Sequence, residues 1–375
     1  MKRAIVAVTN DLTTDQRVDR TCKTLLKAGY LPLLVGRRMK NSRTTSPRPY
    51  QTQRLRLLFE KGPWFYAEYN IRLFFFLLFR PCDLVVSNDL DTLPAVYLAK
   101  TIKRFFGPRR APIHIHDCHE YFRGVPELSG RKTVTATWKW IEDRIFPNLQ
   151  IVLAVNQSVA ELYTKEYGIR ISILRNVPFR KGLEGARNKQ SMKIAAQQKI
   201  ILYQGAVNID RGLEEAIQAM GYIKTDAILV IAGIGDIYQS LVDYTSRQGL
   251  SEKVRFLGQV SFEQLHSVTL MADLGLSIEK DVSINYHFCL PNKFLDYIQA
   301  NVPVLVSPFP EMKKIVDEYQ IGEFIENHDP VYLALVFDRI LNDRPGLELY
   351  RKNLKKAAAE LCWENEENQL RSLLK

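Results

Sequence analysis

The chain has 375 residues, 46% of them hydrophobic and 25% charged, with five cysteines and a formal net charge of +11. It is long enough to hold two domains with their own cores, and too apolar for a disordered chain. The cysteines at 22, 82, 118, 289 and 362 are odd in number and scattered; no pair has metal or redox spacing, so a disulfide framework is excluded and a reducing cytoplasm is expected.

Charge is uneven along the chain. Residues 1–180 carry 30 Lys and Arg against 15 Asp and Glu, whereas residues 181–375 carry 22 against 26. A basic first half points to an anionic partner, for which membrane phospholipid, a lipid diphosphate or nucleic acid would all serve; a merely solvated basic surface is the alternative. The first apolar run, Ala4 to Val8, is too short for a signal peptide and is followed by Thr9-Asn10-Asp11.

Arg3 to Val8 reads as a buried strand, residues 9–14 as a polar loop, and Asp15 to Ala28 as a helix closed by Gly29, a good C-cap. Leu31 to Val35 is the next strand. This βαβ opening lacks G-x-G-x-x-G, which excludes a dehydrogenase-type dinucleotide fingerprint. Arg17 is either an anion ligand or a surface helix residue. Residues 36–63 are basic, with Arg37, Arg38, Lys40, Arg43, Arg48, Arg54, Arg56 and Lys61. Trp64 to Phe79 is aromatic and apolar, but its longest uninterrupted run, Leu73 to Phe79, is seven residues, far below the roughly 20 that span a bilayer. A helix buried on the first sheet is expected there. A peripheral membrane contact is the alternative, and the basic segment before it is the better membrane candidate.

Asp83 to Ser87 reads as a strand, with a helix from Thr92. Asp89 and Asp91 have the spacing of a metal-binding pair, but Asp91 also suits a helix N-cap, the reading preferred here. Ile113 to His116 is a strand followed by Asp117, Cys118, His119 and Glu120. His114 and His116 point to one face of the strand and no zinc ligand set is completed nearby. His119 or Glu120, at a strand's carboxyl end, can hold hydroxyls or assist proton transfer; loop capping by Asp117 and Glu120 is the alternative. A helix (Trp138 to Phe146), a strand (Ile151 to Val155) and a helix ending near Gly168 follow. Residues 179–198 are polar and weakly patterned, as in a linker.

Lys199 to Gln204 opens a second set of strands, continued by Ala227 to Ala232, Val254 to Leu257, Leu274 to Ile278 and Pro303 to Ser307, the last apolar and β-branched like a buried parallel strand. Glycines follow several of them at Gly205, Gly233 and Gly258. After a polar loop holding Asn285, Tyr286 and His287, Leu290-Pro291-Asn292-Lys293 opens a helix that runs to about Ala300. In an open α/β sheet such a helix N-terminus lies at the carboxyl edge of the strands, where ligands bind, and its free N–H groups favour phosphate. Lys293 adds a positive charge, and Asn292, Lys293 and Asp296 project on roughly one face. The set suits a nucleotide diphosphate, with cation and amides on the phosphates and a carboxylate on the ribose diol. An ordinary surface helix is the alternative. After Ser307 a mostly helical chain is expected.

Residues 291–304, Pro-Asn-Lys-Phe-Leu-Asp-Tyr-Ile-Gln-Ala-Asn-Val-Pro-Val, resemble the donor-binding segment of glycosyltransferase family 4, retaining enzymes of the GT-B fold. The resemblance implies an α/β chain of two Rossmann-like β/α/β domains facing across a cleft. It implies an acceptor-binding domain at 1–178, a linker at 179–198, a donor-binding domain at 199–354, and a C-terminal helix, about 355–375, crossing back to the first domain. It places Gly205, Arg211, Gly233, Asn292, Lys293 and Asp296 around the donor, His119 and Glu120 as catalytic residues, and Asn10, Arg17, Asp89 and His287 near the acceptor or cleft. The implied activity is transfer of a sugar from a nucleotide-diphospho-sugar to a glycan or lipid-linked acceptor in cell-surface polysaccharide or glycoconjugate synthesis. No metal or cofactor and no nucleic acid is implied; the implied site of action is the cytoplasm, or peripherally the inner face of the membrane. Asp296 stands where Glu is more frequent, Asn301 where Gly is usual, and Phe288 eight residues before Asp296, where a sugar-reading Glu is frequent. A nucleotide-sugar epimerase of similar fold and a non-catalytic membrane-associated binding protein are the competing readings.

Overall fold

Apolar strands alternating with one-faced helices should form parallel sheets covered by helices on both sides, and the computed structural model has two such units. It describes residues 1–13, 15–42, 44, 47–107, 111–125, 130–185, 189–192 and 194–374. Thr14, Arg43 of the basic segment and parts of the 179–198 segment lie outside the described residues.

The first unit comprises Met1–Asn176 and Asn365–Lys375. Its elements are β1 (Lys2–Ala7), α1 (Gln16–Lys27), β2 (Tyr30–Arg38), β3 (Gln51–Arg56), α2 (Gly62–Leu78), β4 (Leu84–Asn88), α3 (Leu93–Phe105), β5 (Ile113–Cys118), α4 (Lys132–Ile145), β6 (Ile151–Ala154), α5 (Gln157–Tyr167) and β7 (Ser172–Ile173). The seven strands run parallel in the order β3-β2-β1-β4-β5-β6-β7.

The second unit, Val177–Glu364, holds β8 (Lys199–Gln204), α6 (Leu213–Ala219), β9 (Ala227–Ala232), α7 (Tyr238–Arg247), β10 (Val254–Gly258), α8 (Phe262–Thr269), β11 (Leu274–Ser277), α9 (Ile284–His287), α10 (Asn292–Gln299), β12 (Val304–Val306), α11 (Pro310–Tyr319), β13 (Gly322–Phe324), α12 (Pro330–Asn342) and α13 (Arg344–Glu360). Its six strands are parallel in the order β10-β9-β8-β11-β12-β13. A last helix, α14 (Trp363–Ser372), carries the chain back into the first unit from Asn365.

Strand order reverses between β1 and β4 in the first unit and between β8 and β11 in the second. These are the switch points at which open α/β sheets leave a crevice at the carboxyl ends of the strands. Strand alternation builds a core on each face of the second sheet. Ile200 and Leu202 pack with Val230, Phe294 and Leu354 on one face, Ile201 and Tyr203 with Leu229, Leu276 and Phe337 on the other.

Several local expectations change. The basic segment hides β3, whose Gln-Thr-Gln-Arg-Leu-Arg pairs with β2 as a half-exposed edge; too few apolar residues mark it. β5 extends through Cys118, so Asp117 is in the strand rather than in a capping loop. Asp91 does not cap α3: the N-cap position is Thr92, and Asp91 accepts a hydrogen bond from Thr9 at 2.5 Å. The polar loop contains the single-turn helix α9, and the mostly helical tail includes β13.

Candidate active site

At the carboxyl edge of the second sheet, the ends of β8 and β9 come together through two glycines. Gly205 has φ +125° and Gly233 has φ +153°, and a Cβ on Gly233 would lie 1.8 Å from the Gly205 carbonyl oxygen. No side chain fits there, which leaves backbone facing the crevice. Gly212 (φ +71°) opens α6, and a Cβ on it would lie 2.4 Å from the Ile278 carbonyl, just past β11. That close approach brings Arg211 against the end of β11.

The anchor there is Glu279, fully buried two residues beyond β11. Its Oε1 takes an ion pair from Lys293 Nζ and faces Arg211 Nη1 at 3.5 Å, while Oε2 accepts from Ser277 Oγ at 2.9 Å. Burial would raise the Glu279 pKa, but Lys293 first and Arg211 second hold it below the ordinary carboxylate value. The same pairing raises Lys293 against the opposing effect of burial. Lys293 also lies 4.6 Å over the Tyr203 ring, and the Arg211 guanidinium 4.6 Å over Tyr286. Both expected cations therefore converge at the start of α10, whose N-cap, Pro291, offers no side-chain cap.

Asn292, Lys293 and Asp296 do not form one exposed face. Asn292 is exposed, Lys293 is buried, and Asp296 turns to other partners, Lys181 Nζ at 2.7 Å and Gln204 Nε2 at 3.1 Å. Asp296 remains one-fifth exposed. His287 pairs with Asp281 at 2.7 Å on the half-exposed α9 loop.

In the first unit, the carboxyl ends of β1, β4 and β5 gather a second group. Arg17, on α1, makes a two-pronged pair with Asp117, Nε to Oδ2 at 3.0 Å and Nη2 to Oδ1 at 2.6 Å, and its Nη1 donates to the Leu174 carbonyl at 2.7 Å. Its guanidinium thus serves the fold from a buried position. Asn10 accepts from the Leu12 N–H and donates to Asp15, shaping the loop after β1.

His119 sits among acids. Its Nδ1 is 3.5 Å from Asp89 Oδ2, its Nε2 is 3.5 Å from Asp117 Oδ2 and 3.0 Å from Asn88 Oδ1, and its backbone N–H donates to Asp89 Oδ1 at 2.8 Å. Asp89 takes this position with φ +56°, a conformation that Asp tolerates better than most residues. Burial disfavours the imidazolium, but Asp89 and then Asp117 outweigh it and push the His119 pKa up to about 9. This raised pKa favours the imidazolium, whose ring N–H groups donate hydrogen bonds. Glu120 is exposed. His114 and His116 both bond Ser87 Oγ, at 2.7 and 2.9 Å, and burial keeps His116 down at about 4; they are neutral core residues.

Sequence reasoning missed Glu279, the Lys181 partner of Asp296, and Asp117 as the common anchor of Arg17 and His119. A carboxylate at the carboxyl end of a parallel strand is the signal that Glu279 and Asp117 share.

Residues 186–361 match the family model described as Glycosyl transferases group 1. An uncharacterized glycosyltransferase of Methanocaldococcus jannaschii is 29% identical over 205 residues, 53% of this chain and 48% of that protein, so the chain spans about half the length of this relative. Sucrose-phosphate synthase from Thermosynechococcus elongatus superposes with a TM-score of 0.77 at 18% identity, covering 100% of this chain and 98% of that one. WaaG, a glycosyltransferase involved in lipopolysaccharide biosynthesis, gives 0.75 at 16% with 99% of both chains covered. Anabaena HepE in complex with UDP gives 0.73 at 12%, covering 100% and 99%. The chain has the GT-B fold, and its residues 186–361 match the Glycosyl transferases group 1 model.

Proposed function

We propose that the chain transfers a sugar, with retention of anomeric configuration, from a nucleotide-diphospho-sugar to a glycan or lipid-linked acceptor in cell-surface polysaccharide or glycoconjugate synthesis, as in glycosyltransferase family 4. The observation that carries this reading is the convergence of Arg211 and Lys293 on the start of α10, at the carboxyl edge of the group 1 domain's sheet. Negative charge develops on a departing diphosphate, and fixed cations beside a helix N-terminus stabilise it without reorganisation and without calling on a metal. Gly205 and Gly233 let the diphosphate approach backbone. Asp296 takes the ribose hydroxyls, exchanging them for its present partners. In the first unit the His119 imidazolium, beside Asp89, donates to a hydroxyl of the acceptor, with Asn10 and Glu120 as further acceptor-side residues. HepE is described in complexes with UDP, with UDP and glucose, and with UDP-glucose, which makes uridine the first base to test.

The acceptor side of this reading includes an anionic membrane surface. α2 buries Phe65, Tyr69, Leu73 and Leu77 at four-residue spacing, yet leaves Trp64, Ile71 and Phe75 exposed, with Phe79 beyond its end. The end of α3 adds Phe105 and Phe106, and Lys103 Nζ, donating to the Arg80 carbonyl at 2.5 Å, ties the two helix ends together. Exposed aromatic rings interleaved with cations suit a lipid headgroup layer. Among the described residues no helix is long and apolar enough to cross a membrane.

The deciding experiment is a thermal-shift screen of UDP, GDP, ADP and their glucose conjugates, with and without Mg²⁺, followed by donor turnover. A ligand of the folded state raises the midpoint with concentration. A rise with one base, independent of Mg²⁺ and lost in Arg211→Ala, supports the site, and turnover in that variant drops roughly 10²-fold. No shift with any nucleotide transfers the weight to a non-catalytic binding protein; donor conversion without acceptor favours an epimerase.

A further inference from the structure

Glu279 is a carboxylate with no ordinary reason to lie in an anion site. It is fully buried, and both of its oxygens are engaged, Oε1 by Lys293 and Arg211, Oε2 by Ser277. Ser307 Oγ donates to its backbone carbonyl at 2.5 Å, so the residue is fixed from β11 and from the end of β12. Its two cations are not equivalent. The Lys293 side chain is 7% exposed and in tight contact with Oε1; the Arg211 side chain is 20% exposed, 3.5 Å from the same oxygen, and its Nε is buried without a hydrogen-bond partner. A buried N–H left without an acceptor is costly, and a ligand oxygen would satisfy it.

We infer that Glu279 is the fixed counter-charge of the diphosphate site, holding Lys293 in a closed neutral pair and leaving Arg211 as the cation that engages the donor. This rests on the donor reading above and refines it. Two cations less one carboxylate leave a site with a single net positive charge, one that binds the donor while letting the nucleoside diphosphate product leave. Glu279 is then a positioning residue that acts through the two cations and touches no substrate.

The inference has a sign that a purely structural role lacks. If Glu279 only propped up its neighbours, neutralising it would misplace the cations and weaken diphosphate binding. As a counter-charge, it repels the ligand, and Glu279→Gln strengthens binding. For charges several ångströms apart in a partly buried site, the expected effect is about tenfold. Isothermal titration of the full chain with UDP is the test, on wild type, Glu279→Gln and the double variant Glu279→Met/Lys293→Met. Glu279→Gln binds UDP about 10-fold tighter and with a steeper salt dependence. The double variant, which removes both members of the buried pair and so avoids leaving a charge alone, weakens UDP binding by less than about 10-fold, because Arg211 still engages the diphosphate. Equal or weaker binding in Glu279→Gln overturns the inference. So does a roughly 100-fold loss in the double variant, which would make Lys293 itself the diphosphate ligand. If Glu279→Gln does not fold, the double variant decides alone. Wild type that binds UDP while these variants fail their expectations removes the counter-charge only; wild type that binds no nucleoside diphosphate removes the donor reading with it.

Discussion

The ion pair between Arg17 and Asp117 gives the sharpest prediction for stability. Its side chains are 2% and 1% exposed and share two hydrogen bonds at 3.0 and 2.6 Å. Asp117→Asn keeps the volume and one acceptor oxygen but leaves the guanidinium without its counter-charge. Breaking a buried pair from one side costs about 3–5 kcal/mol, and the retained oxygen places this case near 3 kcal/mol. For a unit of nearly two hundred residues each kcal/mol moves the midpoint by about 2–4 °C, so a fall of roughly 6–12 °C is expected. Differential scanning calorimetry of the full chain at pH 7 measures it. The neighbouring Arg17 and His119 hold the Asp117 carboxyl far below its ordinary 3.8. Its contribution is therefore complete above that value and is lost as pH falls through the lowered one, so the deficit is flat between about pH 5 and 6.5 and shrinks above that as His119, which Asp117 helps to charge, loses its proton. The double variant Arg17→Met/Asp117→Leu recovers part of the loss, because it removes both charges. A shift under about 2 °C for Asp117→Asn would sink the argument that this pair organises the edge of the first sheet.

His119 predicts the opposite pH dependence. Its folded pKa is raised from 6.5 to about 9, so its contribution is complete below pH 6.5 and disappears as pH rises through about 9. Urea titrations across that window show wild type losing about 1–3 kcal/mol relative to His119→Gln; parallel profiles for the two proteins would contradict an imidazolium held by Asp89 and Asp117. The α2 and α3 surface predicts flotation of the full chain with vesicles rich in anionic lipid, weakened several-fold in Phe75→Asp/Phe79→Asp with an unchanged melting midpoint, whereas a chain that ignores anionic vesicles removes the membrane from the reading.

How much of this was legible beforehand depends on the range of the interaction. Most strands of both units, and the helix opening at Pro291, are written in local patterns of apolar residues, Pro and Gly, because parallel strands buried on both faces must be apolar. β3 escaped because an edge strand needs little apolar surface, so Gln51 to Arg56 reads as a basic loop. Helical spacing placed Lys293 and Asp296 on one side of α10, but it could not say which partner each would find. One turned inward to Glu279, the other to Lys181.

The sequence by itself determined the α/β class, the strand-turn-helix rhythm and the residue types at the two sheet edges. Those follow from backbone periodicity and from burial of apolar surface, which act over a few residues. Only the tertiary structure decided which charges meet. Glu279 lies 68 residues from Arg211 and Asp117 lies 100 from Arg17. Pairing at such separations is set by strand order and by the close approach of Gly212 to Ile278, and it is the pairing, through Coulomb energy in a buried setting, that fixes the charge each group carries into the site.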